Sequence, residues 1–167
     1  MKFDKALLIK NLTAQTEKQA KVIIDDVLNQ VVDSLMELSP VGQPDEWVST
    51  PPKDYEPGKY KANWQHGFNE AKTSVLDMRD ESDMMEKDSS TSKYLKKEIK
   101  ANKKIIGTHY FTNNVSYAEA VEYGANEERP WQSIHNPQSQ HKPHAVAGLT
   151  AQNIPSFIAK AQSRVKK

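Results

Sequence analysis

Residues Asn113 to Gly124 read NNVSYAEAVEYG, a stretch that carries its own start and stop signals. Just before it, Ile105 to Thr112 (IIGTHYFT) is rich in β-branched and aromatic side chains, which suit a strand, and the Asn113-Asn114 pair tolerates left-handed turn conformations. Ser116 stands three residues before Glu119, the spacing of a capping box in which hydroxyl and carboxylate each satisfy a backbone N–H left open at a helix start. Gly124 supplies the achiral residue that ends a helix. The stretch therefore predicts strand, turn and two-turn helix. Tyr117 and Val121, four apart, face inward on that helix, while Glu119 and Glu122 face water or a neighbour.

Working outward, the longest periodic segment lies near the start. From Thr13 or Thr16 to Leu38, Ala20, Ile23, Ile24, Val27, Leu28, Val31, Leu35 and Leu38 recur at intervals of mostly three and four, which predicts an amphipathic helix. Ser39-Pro40 ends it, because the residue before a proline is pushed out of the α region. The first dozen residues are expected as a mobile arm or a short strand. Between Val41 and Gly58 lie sixteen residues with Pro44, Pro51, Pro52 and Pro57, too many prolines for a regular ladder. Trp47 and Tyr55 inside that segment favour an ordered loop.

Lys59 to Asn69 alternates, with Tyr60, Ala62, Trp64, His66 and Phe68 on one side and Lys61, Asn63 and Gln65 on the other. This is the period of a half-buried strand, with Gly67 as a point for a bulge. Thr73 to Ser92 holds six acids against Arg79 and Lys87 and few apolar side chains, so it is expected as a flexible excursion or mobile hairpin that orders on joining a neighbour. Ser89 to Asn102 then predicts a helix with Leu95 and Ile99 four apart, and six lysines crowd Lys93 to Lys104. After Gly124 the chain is polar and irregular through Ser139. From Pro143 a second amphipathic pattern runs through Val146, Leu149, Ile154, Phe157, Ile158, Ala161 and Val165, with Pro155 expected to kink or restart the helix.

Composition narrows the function classes. The 167 residues suffice for a single domain with its own core, and 37% hydrophobic against 27% charged side chains suggests either long solvated loops or an elongated shape that finishes folding in an assembly. Twenty-three basic and 22 acidic residues nearly cancel, so no global field favours nucleic acid or an anionic membrane. The absence of cysteine excludes disulfides and thiolate metal ligands. No apolar run approaches the roughly 20 residues of a membrane span, and MKFDKALLIK, which carries Asp4, is too short for a secretory signal.

Taken in order, these elements resemble the tail-completion or head-tail joining (neck) proteins of tailed bacteriophages, the minor tail protein Z-like group. The resemblance rests on the long first helix ending in Ser39-Pro40-Val41; on Gly58, Tyr60, Ala62, Asn63 and Trp64; on the segment from Ile105 through Asn113, Asn114, Tyr117, Ala118, Glu122, Tyr123 and Gly124; and on the C-terminal helix. It covers about two thirds of the chain, and the segments 42–57 and 125–142 are insertions relative to it. The resemblance implies an α+β fold, with long N- and C-terminal helices on a small, mainly antiparallel sheet and long loop or hairpin excursions. It further implies a non-enzymatic, cofactor-free virion protein that assembles in the host cytoplasm into a ring, usually hexameric. The ring's partners are the connector or head-completion protein on one side and the tail-tube or tail-terminator protein on the other, with genomic DNA passing through the lumen without sequence-specific binding.

Residue by residue, alternatives stand beside that picture. Trp64 and Tyr60 suit either the core or a subunit contact. Trp47 and Trp131, in proline-bearing loops, suit a contact. Asn63 and Asn113 either bridge chains or satisfy their own turns, and Glu122 and Tyr123 close the short helix onto the sheet or line a seam between subunits. The Lys93 to Lys104 run suits a solvated helix face or phosphate contacts, which would make the chain a DNA-contacting packaging or regulatory factor. His135, His141 and His144 with Glu127 and Glu128 offer a weaker metal-hydrolase reading, since no H-E-x-x-H places them on a regular element. Neither a G-x-S-x-G elbow nor a phosphate-binding glycine loop occurs.

Overall fold

The computed structural model describes residues 5–42, 55–82, 86, 88–102, 104, 107–123 and 144–165, with side chains from Thr16 onward. The elements in order are α1 (Lys5–Leu38), α2 (Lys59–Ala62), β1 (Trp64–Phe68), α3 (Ser90–Ala101), β2 (His109–Asn113), α4 (Ala118–Tyr123) and α5 (Val146–Val165). The class is α+β, with β1 and β2 forming a two-stranded antiparallel sheet.

α1 is the spine. It begins at Lys5, not near Thr13 or Thr16, so the residues expected as an arm or strand are helical from Lys5 on; Ala6, Leu7, Leu8, Lys10 and Leu12 favour helix and nothing there breaks it. At the other end, Ser39 N–H and Ser39 Oγ both bond to Leu35 O, at 3.0 and 2.6 Å, and Pro40 stops propagation. Leu28, Val31, Val32, Leu35 and Met36 form the buried stripe of α1. Against it pack Leu95 and Ile99 of α3, Tyr60 and Trp64, Val115, Tyr117 and Val121, and Val146 at the start of α5.

α5 runs antiparallel along α1. Ser34 Oγ shares a hydrogen bond with Thr150 Oγ1 (2.9 Å), Gln30 Nε2 donates to Phe157 O (3.3 Å), and Arg164 pairs with Asp26 (2.7 Å). The helix continues through Pro155 without restarting. Ile154, Pro155 and Ser156 all face solvent, as does Ala151, whose carbonyl loses its helical donor there and is left to water. α3 matches its sequence reading closely. Its cap is Ser89, whose side chain accepts from Ser92 N–H at 3.2 Å.

Three expectations are corrected. Lys59 to Asn69 is not one strand, because Lys59–Ala62 is a helical turn and extended chain begins at Trp64. Gly58 causes the change. It sits at φ +71°, its carbonyl accepts from both Ala62 N–H and Asp80 N–H, and a Cβ there would lie 2.6 Å from the Asp80 backbone. Gly67 makes no bulge, since the register runs one-for-one from Trp64↔Asn113 to Phe68↔His109; the missing Cβ instead admits the Glu70 carbonyl. Nor are Asn113 and Asn114 left-handed. Among the described residues the non-glycine positive φ values belong to Asn69 (60°) and Ala145 (47°). β2 extends through Asn113, whose Oδ1 turns the chain by accepting from Val115 N–H at 3.4 Å. Ile105 and Ile106 lie outside the described residues.

The segment beginning at Thr73, expected as a mobile hairpin, is over residues 70–82 an extended strap. It is stapled across the face of the sheet opposite the helices. Gln65 Nε2 donates to Ser74 O (2.7 Å), Thr112 Oγ1 to Lys72 O (3.0 Å), and Asn114 Nδ2 to the carbonyls of Lys72 and Ser74 (3.0 and 3.1 Å). Lys61, Asn63 and Gln65, the polar side of the alternating pattern, are consequently buried at 0%, 0% and 3% exposure.

Candidate functional site

The residues that carry the family resemblance gather where α1, the sheet and α4 meet, and their polar atoms are spent on one another. Trp64 is 4% exposed, donates from Nε1 to Ser39 Oγ at 2.8 Å, and meets Tyr60 edge-on with ring centroids 5.9 Å apart. Burial, with Glu122 and Tyr117 adding, holds the Tyr60 hydroxyl far above the ordinary tyrosine range. Asn113 Nδ2 donates to Tyr60 O (2.8 Å), joining the end of β2 to the α2 turn. Asn63 Nδ2 donates to Lys59 O and Leu76 O while its Oδ1 accepts from Leu76 N–H (2.7 Å), so this amide locks the strap as a backbone partner would. Tyr117 is buried beside Tyr55, ring centroids 5.6 Å apart.

Glu122 works at longer range than its sequence position suggests. Its Oε2 accepts from Ala147 N–H (2.9 Å) and its Oε1 from Gly148 N–H (2.8 Å), so a carboxylate of α4 caps the N-terminus of α5. Orphan first-turn N–H groups and the helix dipole both favour an anion there. Glu122→Ala is expected to lower stability by about 1–2 kcal/mol, with Glu122→Gln in between, as read by urea unfolding. Tyr123, by contrast, is 69% exposed. Trp47, Gly124 and Trp131 lie outside the described residues, as do His135 and His141 of the metal reading, of which only His144 is described. No three-residue group of metal-ligating side chains occurs among the described residues.

Two clusters escaped the sequence reading. Asp80 is 4% exposed and sits at the start of α3. Its Oδ1 accepts from Ser82 N–H (3.3 Å) and Ser82 Oγ (2.5 Å), and its Oδ2 from Ser90 Oγ (3.2 Å) and Thr91 N–H (2.9 Å). Burial opposes its ionisation, but the hydrogen bonds from Ser82, Thr91 and Ser89 outweigh burial and hold the carboxyl well below the usual carboxylate range. The second cluster is His66 with His109, stacked at 23° with Nε2 and Nδ1 2.9 Å apart, beside the rings of Phe68 and Phe111. Burial, the neighbouring His109 and Lys72 push His66 down to about 4. Burial also lowers His109, with Asp25 opposing and Lys21 assisting.

The histidine pair sets a pH dependence. An unfolded His66 takes its proton near the ordinary histidine value of 6.5, whereas the folded one takes it only near 4, so the unfolded state binds more protons across that window. Stability is therefore expected to fall as pH drops from 6.5 to 4, by roughly 1–2 kcal/mol after solvent screening. Melting curves between pH 7 and pH 4 check this, and His66→Gln should flatten the decline. The Asp80 contribution, fully present above its ordinary value of 3.8, is lost only below that pH, so the two effects separate.

Exposed charges cluster in two neighbouring places. Lys93, Lys97 and Lys100 lie at i, i+4 and i+7 on the side of α3 opposite Leu95 and Ile99, all exposed, while Lys96 is drawn to Asp33 of α1 (2.6 Å). Asp77, Glu81, Glu86 and Asp88 are exposed along the strap and the approach to α3. An open cleft of about 400 Å³ between the N-terminal half of α1 and the end of α5 is lined by Lys18, Gln19, Val22, Arg164 and Val165. No helix among the described residues is long and apolar enough to cross a membrane.

Neither protein-family models, curated proteins nor solved structures match this chain. Its function is therefore argued from its own residues and from the resemblance those residues carry.

Proposed function

We propose that the chain is a structural subunit of a tailed-phage virion that forms a homo-oligomeric ring at the head-tail interface and joins the connector to the tail tube. The observation that supports this most is the use made of the signature residues. Trp64, Tyr60, Asn63, Asn113, Asn114 and Glu122 tie the end of α1, the strap, the sheet, α4 and α5 into one hydrogen-bonded body. A heterologous ring needs a subunit that holds its faces at a fixed angle, because that angle sets the number at which the ring closes. Tyr123, Tyr94, Val75 and Met78 stay exposed and supply apolar area for such faces. Each contact needs about 800 Å² per partner.

Native mass measurement of the chain mixed with connector and tail-tube proteins of the same phage tests the proposal. The expected result is a complex holding several copies of this chain and one ring of each partner. A chain that stays at protomer mass in their presence contradicts it. The alternative of a DNA-contacting factor draws on the lysine face of α3 and predicts duplex binding that weakens steeply with salt.

A further inference from the structure

We propose that a stripe on the outside of α5, formed by Ala147, Ala151, Ile154 and Ile158, pairs antiparallel with the same stripe of a second copy of this chain, giving a twofold dimer distinct from any ring contact. The first ground is exposure. α5 already turns one face to the body of the protein through Val146, Thr150, Phe157 and Ala161. Ala147, Ala151 and Ile158 each follow one of those residues by one position, about 100° further round the helix, so with Ile154 they make a second face. Their spacing of four, three and four is that of a helix seam. All four are exposed, Ile154 at 37% and Ile158 at 39%. The second ground is charge. From Val146 to Ala159 the helix has no charged side chain, although ten of these fourteen residues are exposed and the whole chain is 27% charged. A solvated helix face ordinarily carries charge, whereas a charge on a self-pairing face is desolvated in both copies at once.

The third ground names the occupant. In an antiparallel pair centred between Ala151 and Ile154, Ala147 stands opposite Ile158 of the partner subunit and Ala151 opposite Ile154 of the partner subunit, and the twofold axis repeats both matches. Every isoleucine then meets an alanine, the large-against-small alternation that lets facing helices interdigitate. Parallel pairing would set isoleucine on isoleucine and leave a gap between the alanines. The stripe therefore complements itself in one direction only. A single helix pair of this length belongs with the small interfaces, below about 1,200 Å² in total, so the dimer is reversible. A ring with unlike ends has no twofold axis, so the pair is a state of the free chain that parts when a ring closes, and the inference does not rest on the ring reading.

The test uses the absence of cysteine, which lets introduced thiols report contacts cleanly. Full-length chains carrying Ala147→Cys are mixed with chains carrying Ile158→Cys, oxidised gently, and the linked peptides weighed. Disulfides between positions 147 and 158 are expected to exceed those between like positions by at least about tenfold, because like positions stand roughly 16 Å out of register along the pair. Sedimentation equilibrium of Ala151→Glu supplies a second measurement. Ala151 is exposed and glutamate is a good helix former, so the melting temperature should match the unaltered chain, while the dimer weakens at least about tenfold. Like-position disulfides in excess, no preference between the two, or an Ala151→Glu chain that dimerises as the unaltered one does each overturn the inference. So does an Ala151→Glu chain that keeps its self-association but loses binding to a connector or tail-tube protein, which would give the stripe to that protein. A chain that pairs in this register and never exceeds twice the protomer mass sustains the inference and overturns the ring reading, whereas protomer mass at every concentration overturns both.

Discussion

Trp64→Ala lowers the free energy of unfolding by about 3–5 kcal/mol, the largest loss expected from truncating one side chain of this fold. The indole is almost wholly buried among α1, α3 and Tyr60, so its removal leaves a cavity that helices on one side and a hydrogen-bonded strand on the other cannot close. A second loss adds to the first. Trp64 Nε1–H is the donor to Ser39 Oγ, the hydroxyl that bonds back to Leu35 O where α1 ends. Trp64→Phe keeps most of the volume and forfeits that bond, and should cost about 1–2 kcal/mol. Urea unfolding at neutral pH measures both. A loss below about 1 kcal/mol for the alanine variant would contradict the packing described here.

Asp80→Ala is expected to cost roughly 2–4 kcal/mol, for an electrostatic reason. Four donors converge on this carboxylate, two of them backbone N–H groups, and one of these belongs to the first turn of α3, where the helix dipole adds to the attraction. Removing the carboxylate strands those donors. Asp80→Asn should do little better, because its amide sets a donor against donors at one of the two oxygens. The strap and the start of α3 are expected to loosen together, visible as faster amide exchange at Leu76 and Thr91. Loosening of α5 instead would place the coupling elsewhere.

What the sequence reveals about this fold is what local chemistry decides. α1, α3 and α4 are legible because apolar spacing, the Ser89 cap and the Tyr117–Val121 pair act within a turn or two. The α2 turn was hidden, because it depends on the Gly58 carbonyl meeting Asp80, and nothing in Lys59 to Asn69 alone distinguishes a turn followed by a strand from continuous alternation. The strap was hidden for a related reason. Its acceptors are the carbonyls of Lys72, Ser74 and Leu76, which every residue possesses, so polar composition read as mobility.

The signature residues show the same division. Trp64 and Tyr60 could be placed in the core from alternation, but Glu122 read as a surface acid since the helix it caps begins more than twenty residues later. His66 and His109 meet only because β1 and β2 pair in the register Phe68↔His109, and neither strand alone announces the other.

Native mass spectrometry of the purified chain over a range of concentrations tests most directly whether it is a ring-forming subunit. Protomers are expected to give way, with rising concentration and falling salt, to one closed multiple of the protomer mass. Protomer mass at every concentration, or an open ladder of ever larger species, would contradict it.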